Sequence, residues 1–268
     1  MRYILILLFI NLVIQNVYCF GYETHRYLGR ITDEYLNNNE IEIKNKINIS
    51  IEKVSDWADK IKRNKKYEWT KEIHYIDVYN CMDKQYDKEI IDKYCKDNCI
   101  ISGIKTLTRL LKRNKYYNME RAYDEYVEER YKELTDEEKM KLLIHLIQDF
   151  SQPMHYIGFK RGGNDYKIRI LYDGRNITTN LHSIWDTMIP KHFITQTKYK
   201  GMNLKYEKED DTNILINRIY NRNIKIACKI YPENSYIKFE EYYNEDYVKE
   251  LFDNYLEVMI KILKMIYE

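Results

Sequence analysis

Hydrophobic residues recur at helical spacing in the middle of the chain. Residues 139–150, "KMKLLIHLIQDF", carry apolar side chains three and four positions apart, which is typical of a helix with one buried face. These apolar side chains are Leu142, Leu143, Leu146 and Ile147. Thr135 in the preceding "LTDEE" is an N-terminal capping signal, and Pro153 predicts the end of the helix.

A second long helical pattern fills the chain beyond Lys238. Apolar and aromatic residues follow at turn-like spacing: Tyr242, Tyr247, Leu251, Tyr255, Val258, Ile262 and Ile266. The 268 residues include only 8 Gly and 3 Pro, so the strongest helix breakers are scarce. The sequence therefore predicts an all-α protein. Residues 20–268 are long enough for one core and do not require a second domain.

One segment alternates polar and apolar residues instead. The stretch "YKIRILYDGRNITTN" has this period of two on both sides of "DGRN", which is a turn signal. We expect a small β-hairpin near residues 166–178, as an excursion from the helical fold.

The first 19 residues have the features of a secretory signal peptide. One positive charge, Arg2, precedes an apolar run that is too short to span a bilayer comfortably. Val17 and Cys19 occupy the −3 and −1 positions of a cleavage site before Phe20. We expect the mature chain to be secreted or delivered to a vacuole or another lumenal compartment, without stable membrane insertion. A retained signal anchor is the alternative.

Cysteines and sequons fit an oxidising compartment. Four cysteines remain after Cys19, and an even count in a secreted chain suggests two disulfides. The short spacing favours Cys95 with Cys99, which leaves Cys81 with Cys228; free buried thiols are the alternative. Asn48 and Asn176 lie in glycosylation sequons, which are weak signals on their own.

The charge balance excludes a strongly basic nucleic-acid-binding protein. The formal net charge is +2, and removal of Arg2 with the signal peptide leaves +1. Such a chain has no strong electrostatic attraction for phosphate backbones. The charge-rich stretches at 83–96 and 112–138 are typical of solvated faces.

Histidines and carboxylates are concentrated in two motifs with the same spacing. In "HLIQDFSQPMH", His145 and Asp149 are four residues apart and thus share one helix face, and His155 follows after the proline turn. In "NLHSIWD", His182 and Asp186 repeat the spacing.

Three further candidates lie upstream. "FGYETH", "SDWADKIK" and "EIHYID" supply His25, Asp59 and His74, so five of the six histidines lie in compact motifs. The sixth, His192, is expected at the surface. Imidazole and carboxylate ligands without thiolate suit zinc. Eight such side chains exceed the needs of one ion, and three zinc ions become the natural number if Asp149 bridges two of them and the free amine of the mature chain is also a ligand.

The order of the motifs "FGxxTH", "WAD", "HYID", "HxxxDxxQPxH", "GGND" and "TNLHxxWD" resembles the zinc-dependent S1/P1 nuclease family. That family shares a superfamily with bacterial zinc phospholipase C, and the resemblance extends from Phe20 to about Asp186. It implies three zinc sites. Their ligands would be Asp59, His74, His145 and Asp149 for one ion; Asp149, His25 and the main-chain amine and carbonyl of Phe20 for the second; and His155, His182 and Asp186 for the third.

The same resemblance implies roles for residues that contact substrate. Asp59 would also orient the attacking water, and Lys62 and Asn164 would contact phosphate. Tyr75 would stack on a base that Asp77 hydrogen-bonds, although core packing is the alternative for Tyr75.

The chain also departs from the family pattern at two positions. Phe20 replaces the usual Trp at the first mature residue, and Thr24 replaces a glycine, which puts the local turn in doubt. We expect Trp57 and Trp185 to pack beneath the ligands.

The leading hypothesis is a secreted trinuclear zinc phosphodiesterase. It would hydrolyse single-stranded RNA or DNA to 5′-phosphorylated nucleotides, and a 3′-nucleotidase activity is a further implication of the resemblance. One alternative is a zinc-dependent phospholipase C, in which a Glu would stand at the position of Asp186. Another is a catalytically inactive secreted metal-binding protein, which predicts missing ligands.

Overall fold

The computed structural model describes residues 21–79, 93–95, 98–112, 125–202, 204 and 211–268. Within them, twelve α-helices and one small sheet confirm the predicted helical class with a β excursion. The helices are α1 (Tyr22–Asn39), α2 (Ile41–Ile47), α3 (Ile51–Val54), α4 (Trp57–Ile61), α5 (Ile100–Lys112), α6 (Glu125–Lys132), α7 (Asp136–Asp149), α8 (Leu181–Ser183), α9 (Ile189–Thr197), α10 (Thr212–Ala227), α11 (Phe239–Tyr242) and α12 (Glu245–Tyr267). Two 3₁₀ segments, Lys65–His74 and Pro153–Tyr156, and a π turn, Ile184–Met188, complete the helical structure.

Helix α7 lies at the centre of the fold. The Thr135 side chain accepts from the backbone N–H of Glu138 while the Glu138 carboxylate accepts from the N–H of Thr135, so the predicted cap is a complete capping box. The helix ends at Asp149, and Pro153 begins the next 3₁₀ turn. Neighbouring helices α5, α4, α3 and α12 pack around α7, which buries the second half of the helix on all sides.

Helix α12 is the second organising element and confirms the prediction for the C-terminal region. Its buried residues include Leu251, Tyr255, Val258, Ile262 and Ile266. It contacts α1, α5 and α10 and thereby joins the N-terminal and C-terminal parts of the chain. The Tyr255 hydroxyl lies 2.6 Å from the Thr32 hydroxyl, so this interior tyrosine has a polar partner on α1.

The predicted hairpin is present and gains a third strand. Strands β1 (Lys167–Tyr172) and β2 (Arg175–Asn180) pair antiparallel around Asp173 and Gly174, which both have positive φ as a two-residue hairpin turn requires. Strand β3 (Tyr236–Lys238) pairs parallel with β1. The sequence did not indicate β3, because three residues are too few to show a period of two.

The structure also bears on the predicted disulfides, glycosylation sites and membrane association. Cys95 and Cys99 form the predicted disulfide. Cys228 is disulfide-bonded, while its predicted partner Cys81 lies outside the described residues. Asn48 and Asn176 are exposed, as glycosylation would require. None of the described helices is both long and apolar enough to cross a membrane.

The structure corrects the predicted surface position of His192. It was expected at the surface, but it is partly buried against three aromatic rings, those of Phe239, Tyr243 and Tyr172, with centroid distances of 4.8, 4.8 and 6.1 Å. The rings belong to elements far apart in the sequence, so local spacing could not reveal this contact.

Candidate metal centre

Asp149 lies at the middle of a buried group of histidines. Its Oδ2 is 3.2 Å from Nε2 of His145, one turn earlier on α7, and 2.8 Å from Nδ1 of His74 at the end of the first 3₁₀ segment. Its Oδ1 is 3.5 Å from Nε2 of His25 on α1. The two oxygens of this carboxylate thus face different histidines, which is the arrangement that a bridging ligand needs.

Asp59 on α4 closes the same group from the opposite side. Its Oδ1 lies 3.7 Å from Nε2 of His145, and its Oδ2 lies 3.9 Å from Nε2 of His25. Lys62, one turn later, places its Nζ 2.6 Å from Oδ1 of Asp59. Asp59 therefore lies between the histidines and the cationic side chain of Lys62.

A second group of donors lies beside the first. Nε2 of His182 is 3.3 Å from Oδ2 of Asp186, and the rings of His155 and His182 stack at 5.3 Å. Asp186 lies in the π turn, where the helix is locally wider than an α-helix. Nδ1 of His155 lies 4.0 Å from Oδ2 of Asp149, so the two groups are adjacent.

The orientation of three of the imidazoles is fixed by a main-chain acceptor. Nδ1 of His145, His155 and His182 lies 2.6–2.7 Å from the main-chain carbonyl of Ser55, His74 and Gly162, respectively. A carbonyl can only accept, so Nδ1 of each ring carries a proton, and Nε2 is the nitrogen that can ligate a metal when the ring is neutral. This is the arrangement found for histidines that ligate metals through Nε2.

The Nε2 atoms and one carboxylate oxygen are the unsatisfied groups of this region. Among the described residues, Nε2 of His145, His155 and His182 and Oδ1 of Asp149 are buried without a hydrogen-bond partner. Burial of polar atoms without partners is costly, and four of them converge here. Cations bound in the separate donor groups would satisfy these atoms.

The spacing of the donors fits zinc. Nitrogen and oxygen ligands about 2.0–2.2 Å from a tetrahedral zinc ion lie about 3.4 Å from each other. Donor atoms form three such groups in the described chain, and the members of each lie within 4.8 Å of one another: His25, Asp59 and His145; His74, His145 and Asp149; His155, His182 and Asp186. The structure therefore brings together all eight side chains that the sequence singled out as ligands.

The electrostatics of the site also favour bound cations. Burial lowers the pKa of His25 and His74 to about 4 and that of His182 to about 3, so these rings are neutral, as ligands must be. Burial would lower the pKa of His145 too, but the carboxylates of Asp149 and Asp59 outweigh it and raise that pKa to about 9. A proton on His145 occupies the position where a metal cation would balance the same carboxylates.

The two aspartates respond differently to the same interior. Burial alone would raise the pKa of Asp149, but the facing charges of His145 and His155 hold it well below its usual range. Burial raises the pKa of Asp186 well above its usual range, with only partial relief from the hydrogen bond to Gln152. Asp186 thus lacks the cationic neighbour that Asp149 has, and a divalent ion between His155 and His182 would provide it.

Two glutamines, which the sequence analysis missed as functional residues, hold the ligands in place. Gln148 accepts from Nδ1 of His25 at 2.6 Å and donates to the Ser55 hydroxyl at 3.0 Å. Gln152 donates to Oδ1 of Asp186 at 2.6 Å. The sequence contained a hint of this role, because both glutamines lie inside the ligand-rich motif. Gln148 directly precedes Asp149, and Gln152 directly precedes Pro153.

A left-handed turn supports His182. Lys160, Arg161, Gly162 and Gly163 have φ values between 50° and 79°, so four successive residues are left-handed. At Gly162 an added Cβ would lie 2.8 Å from the carbonyl oxygen of Met154, and the Gly162 carbonyl accepts from His182. The "GGND" motif thus builds a backbone anchor for a ligand.

The remaining predicted site residues lie around this centre. Tyr75 is 40% exposed, so the core-packing alternative for it is wrong, and Asp77 is half-buried, with a pKa raised by that burial. Asn164 follows the left-handed turn, and its side chain donates to the carbonyl of Arg161 at 2.9 Å. Phe20 lies outside the described residues.

The neighbours of Phe20 and the two tryptophans are described. The N–H of Gly21 donates to the carbonyl of Asp186 at 2.8 Å, and the Thr24 hydroxyl donates to the same oxygen at 3.2 Å. Thr24 therefore strengthens the turn that its substitution for glycine put in doubt. Trp185 is buried, and its Nε1–H donates to the Tyr242 hydroxyl at 2.7 Å, whereas Trp57 is only partly buried.

A largely helical fold with buried histidine and aspartate groups defines a candidate multinuclear metalloprotein. The family model described as S1/P1 Nuclease matches residues 20–265, and the chain belongs to this family.

Curated relatives agree with the family assignment. Endonuclease 4 of Arabidopsis thaliana is 28% identical over 205 residues, which cover 73% of this chain and 63% of the relative. Nuclease S1 of Aspergillus oryzae is 32% identical over 52% of this chain and 41% of its own length. Nuclease P1 of Penicillium citrinum is 26% identical over 53% and 45%, respectively. The chain thus spans between two fifths and two thirds of the length of these relatives.

Proposed function

We propose that this chain is a secreted, trinuclear zinc phosphodiesterase that hydrolyses single-stranded RNA or DNA and leaves 5′-phosphorylated nucleotides. A 3′-nucleotidase activity at the same site is part of the proposal. The support is the family membership together with the three groups of buried donors.

The observation that carries the proposal is the position of Asp149. The two oxygens of this carboxylate face different histidines, as they would if the carboxylate bridged two ions. A structural site with a single zinc ion does not require a bridging carboxylate. The adjacent group of His155, His182 and Asp186 would hold a further ion. Zinc bound at these positions supplies Lewis acidity toward a phosphate oxygen and lowers the pKa of water.

The side chains around the donors have the chemistry that a phosphodiester needs. Asp59 can accept a proton from the attacking water, and the ammonium of Lys62, 2.6 Å from that carboxylate, can balance the charge of the phosphate. Asn164 would donate to a phosphate oxygen after its side chain turns from the Arg161 carbonyl. Tyr75, exposed beside His74, would stack on a base, and Asp77 would accept from its edge.

The start of the described chain supports a role for Phe20. The N–H of Gly21 donates to the backbone carbonyl of Asp186, so the described chain begins next to the donor groups. We include the amine and carbonyl of Phe20 as ligands of the ion shared by His25 and Asp149. Cleavage after Cys19 would be needed to free that amine.

Zinc content and activity on one preparation test the proposal. We expect about three zinc ions per chain by mass spectrometry and degradation of single-stranded DNA that a chelator stops and added zinc restores. Phosphatidylcholine serves as the second substrate, because the phospholipase alternative predicts its cleavage. Three bound zinc ions without cleavage of either substrate would instead support the inactive metal-binding alternative.

A further inference from the structure

Residues 75–79 form an extended segment with two distinct sides. Ile76 and Val78 are both buried, whereas Tyr75 and Tyr79 are 40% and 68% exposed, and Asp77 between them is half-buried. Odd-numbered side chains thus share one outward side, as the period of two in extended backbone requires. Two exposed tyrosines stand on this side, with a carboxylate between them.

A second segment lies alongside the first. Val78 forms a parallel bridge with Ile157, and the N–H of Gly158 donates to the carbonyl of Val78 at 3.1 Å. The next residue, Phe159, exposes 50% of its surface. The backbone that leads into Phe159 therefore lies beside Tyr79, although 80 positions separate the two residues in the sequence.

Gly158 allows this close approach. An added Cβ at Gly158 would lie 2.6 Å from Cζ of Tyr79 and 2.9 Å from Cβ of Asp77. The Tyr79 ring thus lies directly on the backbone at Gly158, next to the carboxylate-bearing residue, and no larger side chain fits beneath it.

The Phe159 ring packs against Tyr231. The Tyr231 hydroxyl donates to the Phe159 carbonyl at 2.8 Å, and the two rings meet edge to face at 5.3 Å. Lys160 places its Nζ 5.9 Å from the Phe159 ring centroid. A fixed, exposed ring with a cation beside it suits a base and its phosphate better than it suits an apolar partner.

We propose that Tyr79 and Phe159 form a second base-stacking site, which binds a nucleotide of the same strand beyond the base at Tyr75. This inference rests on the proposed function and specifies its substrate as a strand of several nucleotides. Four residues of extended backbone separate Tyr75 from Tyr79 by about 13 Å, so one base cannot stack on both rings. A second base therefore needs a second aromatic ring on which to stack.

The test measures how affinity depends on strand length. Tyr79→Leu and Phe159→Leu keep apolar volume but remove the aromatic face, and the zinc-loaded protein is assayed on a thymidine dinucleotide and a thymidine hexanucleotide. We expect each variant to raise KM for the hexanucleotide about tenfold, while kcat and the KM for the dinucleotide stay at the wild-type values.

Tyr236→Leu is the matched control. This tyrosine on β3 is 45% exposed, comparable to Phe159, but lies on the sheet, and we expect no change with either length. An unchanged ratio of the two KM values in both Tyr79→Leu and Phe159→Leu would overturn the second stacking site while leaving the proposed function in place. A zinc-loaded wild-type protein that cleaves neither oligonucleotide would overturn both.

Discussion

Single residues decide how charge is distributed in the donor groups. The negative charges of Asp149 and Asp59 raise the pKa of His145, and Lys62 contacts only one oxygen of Asp59. Since buried charges are costly without partners, a change in one carboxylate affects every neighbour. The site therefore acts as one electrostatic unit.

Asp149→Asn should abolish nuclease activity and lower zinc content. The amide keeps the shape of the side chain but removes the charge shared between the histidines, so both ions of the first group lose stabilisation. We expect a loss larger than the roughly 10–100-fold that substitution of an outer-shell partner costs. Zinc stoichiometry and kcat/KM are measured beside Asp173→Asn in the hairpin turn as control. Full activity of Asp149→Asn would refute the shared-carboxylate arrangement.

Tyr75→Ala should weaken substrate binding more than turnover. The exposed ring offers a stacking surface remote from the scissile bond, and such stacking contributes about 1–3 kcal/mol per base. We therefore expect a higher KM with nearly constant kcat on single-stranded DNA. A KM equal to that of the wild-type protein would show that Tyr75 does not contact the substrate.

Among the elements, the left-handed turn at residues 160–163 has the most direct connection to the donors. Four successive positive φ values are unfavourable for side-chain-bearing residues, and two of the four are not glycine. The strain places the Gly162 carbonyl against His182. Strained backbone near donor groups is typical of functional sites.

Gly162→Ala should disrupt the group of His155, His182 and Asp186. The new Cβ would be strained by φ of +59° and would lie 2.8 Å from the Met154 carbonyl, so the carbonyl that holds His182 must move. Gly174→Ala is the control, because its φ is +70° but nothing lies within 4 Å of an added Cβ.

Thermal unfolding and zinc content separate the two variants. Both should lose stability of about 1 kcal/mol from the backbone alone, and only Gly162→Ala should also lose bound zinc. Equal zinc content in the two variants would mean that this turn does not position His182.

Local patterns in the sequence predicted some elements and missed others. The capping box of α7, the paired histidine and aspartate on one helix face and the hairpin turn depend on residues close together in the chain, and all three are present. Strand β3, the π turn at Asp186 and the burial of His192 depend on packing between distant segments. Spacing along the chain contains no information about such contacts.

For the candidate site, too, residues could be predicted from local sequence patterns, whereas contacts between distant segments could not. The candidate ligand side chains could be singled out because histidine and carboxylate in this spacing have few other uses, and their grouping was implied by the resemblance. The supporting contacts of Gln148 and Ser55 could not be predicted, because they require α1, the end of α3 and α7 to be placed in three dimensions.

At the scale of the whole molecule, the start of the described chain joins the donor groups. Gly21 and Thr24 both bond to the carbonyl of Asp186, which lies more than 160 residues later in the sequence. Helix α1 also carries His25 and packs on α12. Changes at this terminus should therefore reach the metal centre.

An extension before Phe20 should lower zinc content and activity. A peptide nitrogen delocalises its lone pair and coordinates zinc poorly, whereas a free α-amine can donate once zinc displaces its proton. A chain that begins with Phe20 is compared with one that carries Met-Ala ahead of it, by zinc stoichiometry and nuclease rate. Equal zinc and equal rate would exclude the N-terminus as a ligand.

The hydrogen bonds at Nδ1 of His145, His155 and His182 also determine how the metal arrives. Because carbonyl groups of the finished fold aim these rings, none of the three needs to rotate or change tautomer when an ion enters. Loading is then a ligand-exchange reaction on a preorganised receptor, unlike zinc fingers, whose chains condense around the ion. We expect its rate to follow zinc concentration, the loss of hydration water and the loss of the proton on His145, and we expect a chelator to remove the zinc without unfolding the protein.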